Sequence, residues 1–468
     1  MSWRLAWVAA AAALSACAAG PAYQRPALDM PAAWKVEAPW QEARPQDAAV
    51  RGPWWKRFGD AQLDALQEQA LAASPTLAAA VARLAQARAA ADASSAGLFP
   101  QLSLGGRVQR QKSSENRPLS NYNSPNFSTV QNDFALSFNV AYEADLWGRV
   151  RSSVDAARAT AEQSAADLQN VRLVLASDLA ANYFNLRELD IELDVLAQSI
   201  ALQRKALELA TARHDLGATS GLDVAQQQAL LDSTLTQVDV LRRQRAQFEN
   251  AIAALTGRPA QLFSLAPEAS ARTAPPVPLG VPADVLQRRP DVAAAERAMA
   301  AANAQIGVAR AAYYPNITLG PSLGVDSRAL STLFDAPSLL WSLGVSIAQP
   351  LFDAGRTDAN VAMAEAGYQL TVANYRRTVL VAMQEVQDGI SGSAALDRAL
   401  AQARLAEQSA RRVLQLATDR YEGGVATYLD VITAQQSLLT SQRQLAQLQG
   451  QRMLVAVLLV KALGGDWQ

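Results

Sequence analysis

Phe134-Ala135-Leu136-Ser137-Phe138-Asn139-Val140-Ala141-Tyr142 alternates bulky apolar side chains with small or polar ones, and Gly148-Arg149 just beyond it opens a run free of Gly and Pro as far as Leu216. The alternation is the period of a strand with two unlike faces. The run that follows has a different period. Leu179, Leu186, Leu193, Ile200 and Leu207 recur every seven residues, and Leu168, Leu175, Leu189 and Leu196 form a second stripe. Sustained heptads predict a coiled-coil packing face on a helix of about 100 Å at ~1.5 Å per residue.

Both features occur twice. Ser342, Gly344, Ser346 and Ala348 alternate with Leu343, Val345 and Ile347, and Ile432, Leu439, Ala446, Met453 and Val460 form a late heptad stripe. Pro75 matches Pro290 and Leu98-Phe99-Pro100-Gln101-Leu102 matches Tyr313-Tyr314-Pro315-Asn316-Ile317, both 215 positions apart. Gly148-Arg149 matches Gly355-Arg356, Leu222-Asp223-Val224 matches Leu429-Asp430-Val431, and Gly257 matches Gly464, all 207 apart. One change of 8 residues in a loop between Pro100 and Gly148 reconciles the two offsets. The chain is thus an internal repeat.

Each half reads as helix, strand, strand, very long helix, turn, helix. The first helix is expected from Pro75 to Gly97 and its counterpart from Pro290 to Tyr313, with short strand partners at Leu102–Leu104 and Ile317–Leu319. Residues 61–265 and 283–465 are the two repeats, joined by a Pro-rich linker over 266–282 that cannot be helical. Residues 17–60 form an extended N-terminal segment.

That N-terminus carries Arg4, an apolar stretch from Leu5 to Leu14, and then Leu14-Ser15-Ala16-Cys17. This is the layout of a signal peptide over residues 1–16. The sole cysteine directly after Leu-Ser-Ala resembles a bacterial lipobox, which makes Cys17 the lipidated first residue; neutral Ala18 favours the outer membrane. Beyond it no apolar run approaches the ~20 residues of a spanning helix. A membrane crossing then requires a closed barrel.

The composition excludes several functions. Of 468 residues, 42 are basic and 43 acidic, which leaves no net field for nucleic acid. One histidine, His214, and one cysteine supply no cluster for a metal, and no cofactor is expected. No nucleophile triad or phosphate loop appears, so the chain is not read as an enzyme.

On strand pattern alone the hairpins suit a soluble sandwich or a membrane barrel equally. The small, polar second face favours the barrel. Four strands per chain cannot close, since single-chain barrels have about 8 or more, but three copies supply twelve. Phe99, Tyr142, Trp147, Tyr313, Tyr314 and Phe352 sit where strands meet helices, as an interfacial girdle would. A lipid-anchored periplasmic coiled-coil adaptor is the alternative, but compact β segments bracketing a helical hairpin are not seen.

Cys17-Ala-Ala-Gly20-Pro21-Ala-Tyr23, Trp54-Trp55 with Phe58, Arg288-Arg289-Pro290-Asp291-Val292 with Ala295-Glu296, Ile306-Gly307 before Pro315, and Arg420-Tyr421-Glu-Gly-Gly424 with Leu429-Asp-Val431 and Ala434-Gln435 follow in a telling order. In that order they resemble the outer-membrane factor family (TolC/OprM-like) of tripartite efflux pumps, in its NodT-like lipoprotein branch. The resemblance covers nearly the whole mature chain. It implies an α+β membrane protein, a homotrimeric 12-stranded barrel in outer-membrane lipid, continuous with a long α-helical periplasmic barrel. It also implies a periplasmic adaptor and an inner-membrane RND-type pump as partners, with small molecules such as drugs exported.

The helix-to-helix turns carry the candidate site. Each long helix ends at a glycine, Gly217 or Gly424, and each return helix opens with Ser220 or Thr427 three residues before an acid. Such spacing is close to a capping box, and capping alone accounts for both aspartates equally well. The resemblance adds a gate, with Asp430 and Asp223 as its acids and Tyr421 hydrogen-bonding across to Asp223. It further implies that Arg213, Gly217, Arg420 and Gly424 lie on turns that meet the adaptor. Ala426 and Thr433 depart from family members that carry a linking arginine and a second gate acid. His214 reads as a solvated surface residue.

Overall fold

The computed structural model describes residues 20–25, 52–114, 129–276 and 288–465. They fall into two compact units that cut across the sequence repeat. One is built on Leu84–Ser164 and Ala295–Tyr375 with residues 20–25; the other on residues 52–83, Ala165–Ala294 and residues 376–465. Helices α2 (Pro75–Ala96), α3 (Arg149–Asp215), α4 (Gly221–Leu255), α5 (Pro290–Ala311), α6 (Arg356–Glu422) and α7 (Tyr428–Ala462) appear in the order expected; before them come α1 (Ala61–Ala73), which was not expected, and a 3-10 turn at Trp54–Phe58 within the segment read as extended, where three buried aromatic rings draw the chain into a turn. Both long helices, α3 and α6, have 67 residues, and both return helices, α4 and α7, have 35. No helix among the described residues is long and apolar enough to cross a membrane.

The first unit holds the sheet. Strand β1 (Gln101–Ser113) pairs antiparallel with β2 (Thr129–Glu143) over its full length. The expected partner at Leu102–Leu104 was therefore too short. Gln109-Arg110-Gln111-Lys112 has no apolar alternation, and it is the unbroken ladder to β2 that makes it strand. Next to β2 lie β3 (Asn316–Leu319) and β4 (Ser322–Ser327), and next to these β6 (Val345–Ala348) and β5 (Leu339–Ser342).

These four short strands are two long ones, each interrupted. Pro321, which lacks an N–H, breaks β3 from β4. The Val140 amide still donates to Pro321 O at 2.9 Å, and the Gly320 amide to Gly344 O at 2.9 Å, so pairing continues across both breaks. The sheet is a four-line antiparallel arrangement whose two outer lines, β1 and β5/β6, have no further strand partner among the described residues.

Residues 20–25 dock in this same unit. Asn303 Nδ2 donates to Pro21 O at 2.8 Å, and Arg25 Nη2 to Tyr375 Oη at 2.8 Å. Gly20 and Gly307 touch backbone to backbone, because a Cβ on Gly307 would stand 3.2 Å from Gly20 Cα.

The second unit is helical and holds the heptad core. Leu168, Leu175, Leu179, Leu186, Leu189, Leu196 and Ile200 are buried, and so are Ile432, Leu439, Ala446, Met453 and Val460. Both stripes are seams over most of their length, with Leu193 and Leu207 of the first one half-buried. Asp60 caps α1 through the amides of Gln62 and Leu63, and accepts from Tyr183 Oη at 2.7 Å. Trp54, Trp55 and Phe58 bury beside α3, with Phe58 and Phe184 ring centroids 5.0 Å apart. Residues 266–276 form no regular element.

Candidate functional site

The sheet has two chemically opposite faces, fixed by register. Phe138 lies directly opposite Leu104 on one side and Leu323 on the other, and Leu323 opposite Trp341. Val140 faces Leu102, Phe134 faces Val108, Tyr142 faces Leu319, and Ile317 faces Ile347. Residues paired across a ladder share a face, so these side chains form one apolar surface spanning all four lines. Leu104, Val108, Trp341 and Ile347 on it are exposed in the single chain.

The opposite face is small and polar apart from Leu340, which stands opposite Gly324. Asn139 lies between Ser103 and Ser322, and Ser322 Oγ is 2.8 Å from Ser342 Oγ. Arg107 Nη2 and Asp133 Oδ2 pair at 2.7 Å. At the sheet's end Trp147 stacks on Tyr314 with centroids 4.8 Å apart, and its Nε1 donates to Pro315 O at 2.8 Å. Phe99, Tyr313 and Phe352 are exposed there.

The helical turns repeat one backbone solution. Gly217 and Gly424 take positive φ of 68° and 74°, a conformation that costs glycine little. The Gly217 amide bonds His214 O and the Ala218 amide Arg213 O; the Gly424 amide bonds Tyr421 O and the Val425 amide Arg420 O. These reversed bonds close each long helix with a Schellman motif. The caps that follow differ. Thr427 N and Oγ1 donate to Asp430 Oδ2 at 2.9 and 2.8 Å, so Asp430 caps α7. In the first half Ser220 Oγ caps α4 through the Leu222 amide at 3.1 Å, while Asp223 is engaged by Thr219 Oγ1.

Around Tyr421 the two turns meet. The Arg213 guanidinium lies 5.0 Å above the Tyr421 ring centroid, and the Tyr421 and Tyr428 rings are 5.0 Å apart. Within the protomer the Tyr421 ring is thus held by Arg213 and Tyr428, and the Asp223 carboxylate by Thr219. Burial, with smaller contributions from Tyr421 and Asp223, pushes the Tyr428 phenol up to about 12, so it remains a donor at any physiological pH.

Tyr428 Oη donates to Gln227 Oε1 at 3.0 Å. Sequence reasoning missed this pair, since Gln227 sits in a run of three glutamines and Tyr428 on no heptad stripe. Arg420, Gly424 and Asp430 line an open groove of about 630 Å³ beside the second turn. Thr433 Oγ1 donates to Leu429 O of its own helix at 2.8 Å, and His214 Nδ1 lies 3.1 Å from Thr219 O at the surface. Cys17 lies outside the described residues.

Comparison with known proteins agrees with this geometry. The family model described as outer membrane efflux protein matches residues 66–258 and 281–465. The chain is 32% identical over 466 residues to the pyoverdine export outer membrane protein OpmQ of Pseudomonas aeruginosa, covering 99% of this chain and 97% of that protein. It is 32% identical over 458 residues to outer membrane protein OprJ of the same organism, with 97% and 94% covered.

Among solved structures it resembles the outer-membrane channel OprN with a TM-score of 0.87 and 28% identity, covering 96% of this chain and 99% of that one. It resembles VceC of Vibrio cholerae with a TM-score of 0.81 and 31% identity, covering 89% and 99%. The fold, long helices with one antiparallel sheet, is that of the trimeric outer-membrane channels, which extend into the periplasm. The chain belongs to the outer membrane efflux protein family and is a channel subunit of an efflux system.

Proposed function

We propose that this subunit is a passive conduit, without catalysis, in a tripartite system with a periplasmic adaptor and an inner-membrane RND-type pump, exporting small molecules such as drugs. The observation that carries the conduit reading is the sheet's two faces. An apolar surface across four strand lines suits lipid, and a small polar surface behind it suits a water-filled lumen. Unpaired edges cannot face hydrocarbon, and joining three copies edge to edge removes them.

The helical turns are the periplasmic gate in this reading. Three Asp430 carboxylates around one axis repel one another and attract cations, so their ring filters ions more than it braces the pore. Tyr421 is the brace, through its ring contacts within the protomer or a bond to Asp223 in the closed trimer. The groove beside Arg420 and Gly424, and the turn of Arg213 and Gly217, are the surfaces offered to the adaptor.

Planar-bilayer recordings test this. Tyr421→Ala is expected to raise resting conductance severalfold with trimers intact, and Asp430→Ala mainly to lower cation preference. If neither variant changes conductance or selectivity, both residues serve only as helix-end chemistry.

Lipidation at Cys17 is a separate proposal, supported by the lipobox and by the docking of residues 20–25 just downstream. Cys17→Ser is expected to abolish metabolic labelling with palmitate. Persistent labelling would overturn the assignment.

A further inference from the structure

We infer that Glu188 and Glu192 of α3 hold one proton between them at neutral pH, which makes the seam of α3 with α7 a proton-dependent contact. The inference goes beyond the conduit and gate reading, because the pair lies in the body of the helical unit, far along α3 from its turn. Four residues apart on one helix, two ionised carboxylates repel.

Among the described residues one cation, Arg443 of α7, faces both acids, and its donors are spent elsewhere than on Glu188. Arg443 Nη2 and Nε lie 2.7 and 2.8 Å from Glu192 Oε2, and Nη1 donates to Gln237 Oε1 of α4 at 2.8 Å. Gln447 Nε2 of α7 adds a bond to Glu192 Oε1 at 3.0 Å. Glu192 is buried with donors on both oxygens, so it is the ionised member. Glu188 bonds to Glu192, and a bond between two carboxyls requires a proton. The next cations along each helix are committed, Arg187 to Asp190 and Arg452 to Asp397, both at 2.7 Å.

Close packing holds Glu188 there. A Cβ on Gly450 of α7 would stand 2.7 Å from Glu188 Cβ, so the stem of the acid lies against the backbone of α7. Burial, then the hydrogen bond and charge of Glu192, push the Glu188 carboxyl up to about 8 against the pull of Arg443. At the 207-residue offset Glu188 and Glu192 correspond to Ala395 and Ala399. The equivalent long helix forms without carboxyls at these places, so the fold itself does not demand them.

The folded value stands above the 4.5 of a free glutamate. The stabilisation is therefore fully present below that pH and is lost as pH rises through about 8, when two negative charges share the seam with one positive. Channels of this family extend into the periplasm, so the seam is tighter in an acidic periplasm than in an alkaline one.

Glu188→Gln keeps the size of the side chain and a donor toward Glu192, and removes the titration. Purified full-length trimers of both proteins are melted between about pH 5 and pH 9. Wild type is expected to lose roughly 3–6 °C relative to Glu188→Gln across that range, the variant being the more stable at the alkaline end. Infrared spectra of the same samples supply a readout that packing alone does not move. Wild type is expected to show a carboxylic-acid C=O band that disappears as pH rises through about 8, and Glu188→Gln to lack it.

Parallel melting curves for the two proteins would overturn the shared proton. So would the absence of any acid band lost in that interval from wild type, a measurement that decides the matter even if Glu188→Gln fails to assemble. Neither result bears on the gate.

Discussion

Asp190→Ala is expected to cost about 3–5 kcal/mol, the usual penalty for removing one partner from a buried ionic cluster. The Asp190 side chain is fully buried and accepts from Arg187 Nη1 at 2.7 Å, Arg245 Nε at 2.6 Å and the Glu268 amide at 3.0 Å. Without it the Arg187 and Arg245 cations stay in the interior with too little negative charge to offset their desolvation. These arginines also bond Ala266 O and Leu265 O, so the extended segment after α4 would lose its attachment to α3. Asp190→Asn keeps an acceptor and should lose less.

The Asp239–Arg242 pair on the same helix as Arg245 is the internal control. Its partners are 3.4 Å apart and mostly in water, so Asp239→Ala should cost no more than about 0.5 kcal/mol. Denaturant unfolding followed by helical signal makes the comparison. Equal midpoints for Asp190→Ala and wild type would show that the cluster contributes nothing net.

Phe138→Arg is expected to cost roughly 2–4 kcal/mol of barrel stability where the position lies near the bilayer midplane. Phe138 stands between Leu104 and Leu323 in the middle of the apolar face, and an arginine there would put a cation among the side chains proposed to face lipid. Ser137→Arg, one residue away, points to the polar face between Gly105 and Gly324, and should change ion selectivity while sparing assembly. The readouts are the yield of heat-resistant trimers and single-channel selectivity. If Ser137→Arg is the variant that fails to assemble, the two faces have been assigned the wrong way round.

Much of the candidate site is legible in the sequence alone. The glycines at a constant offset of 207 became matching positive-φ helix ends at Gly217 and Gly424, because a left-handed turn at a helix end selects glycine whatever surrounds it. Thr427 and Asp430 bond as their spacing foretold. In the first half the same spacing misled in part, since Asp223 turned to Thr219 instead of Ser220. One residue of rotation at a cap is within reach of either side chain, and the sequence does not choose between them.

What the sequence by itself determined are the features set by local geometry: the two-residue period of β2, the heptads of α3 and α7, the repeat, and the glycine-terminated turns. Each follows from how successive side chains point along one backbone. Only the tertiary structure decided which distant residues meet. Strand β1 reaches Ser113 because β2 offers it a complete ladder, and the second-half strands break where Pro321 cannot donate. Asp190 gathers Arg245 and Glu268, and Tyr428 finds Gln227 across 201 positions. Each residue turns a helix by about 100°, so the partner of any one side chain depends on the phase of two long helices and on the loops that set their register. That phase is a property of the packed core, and no local pattern contains it.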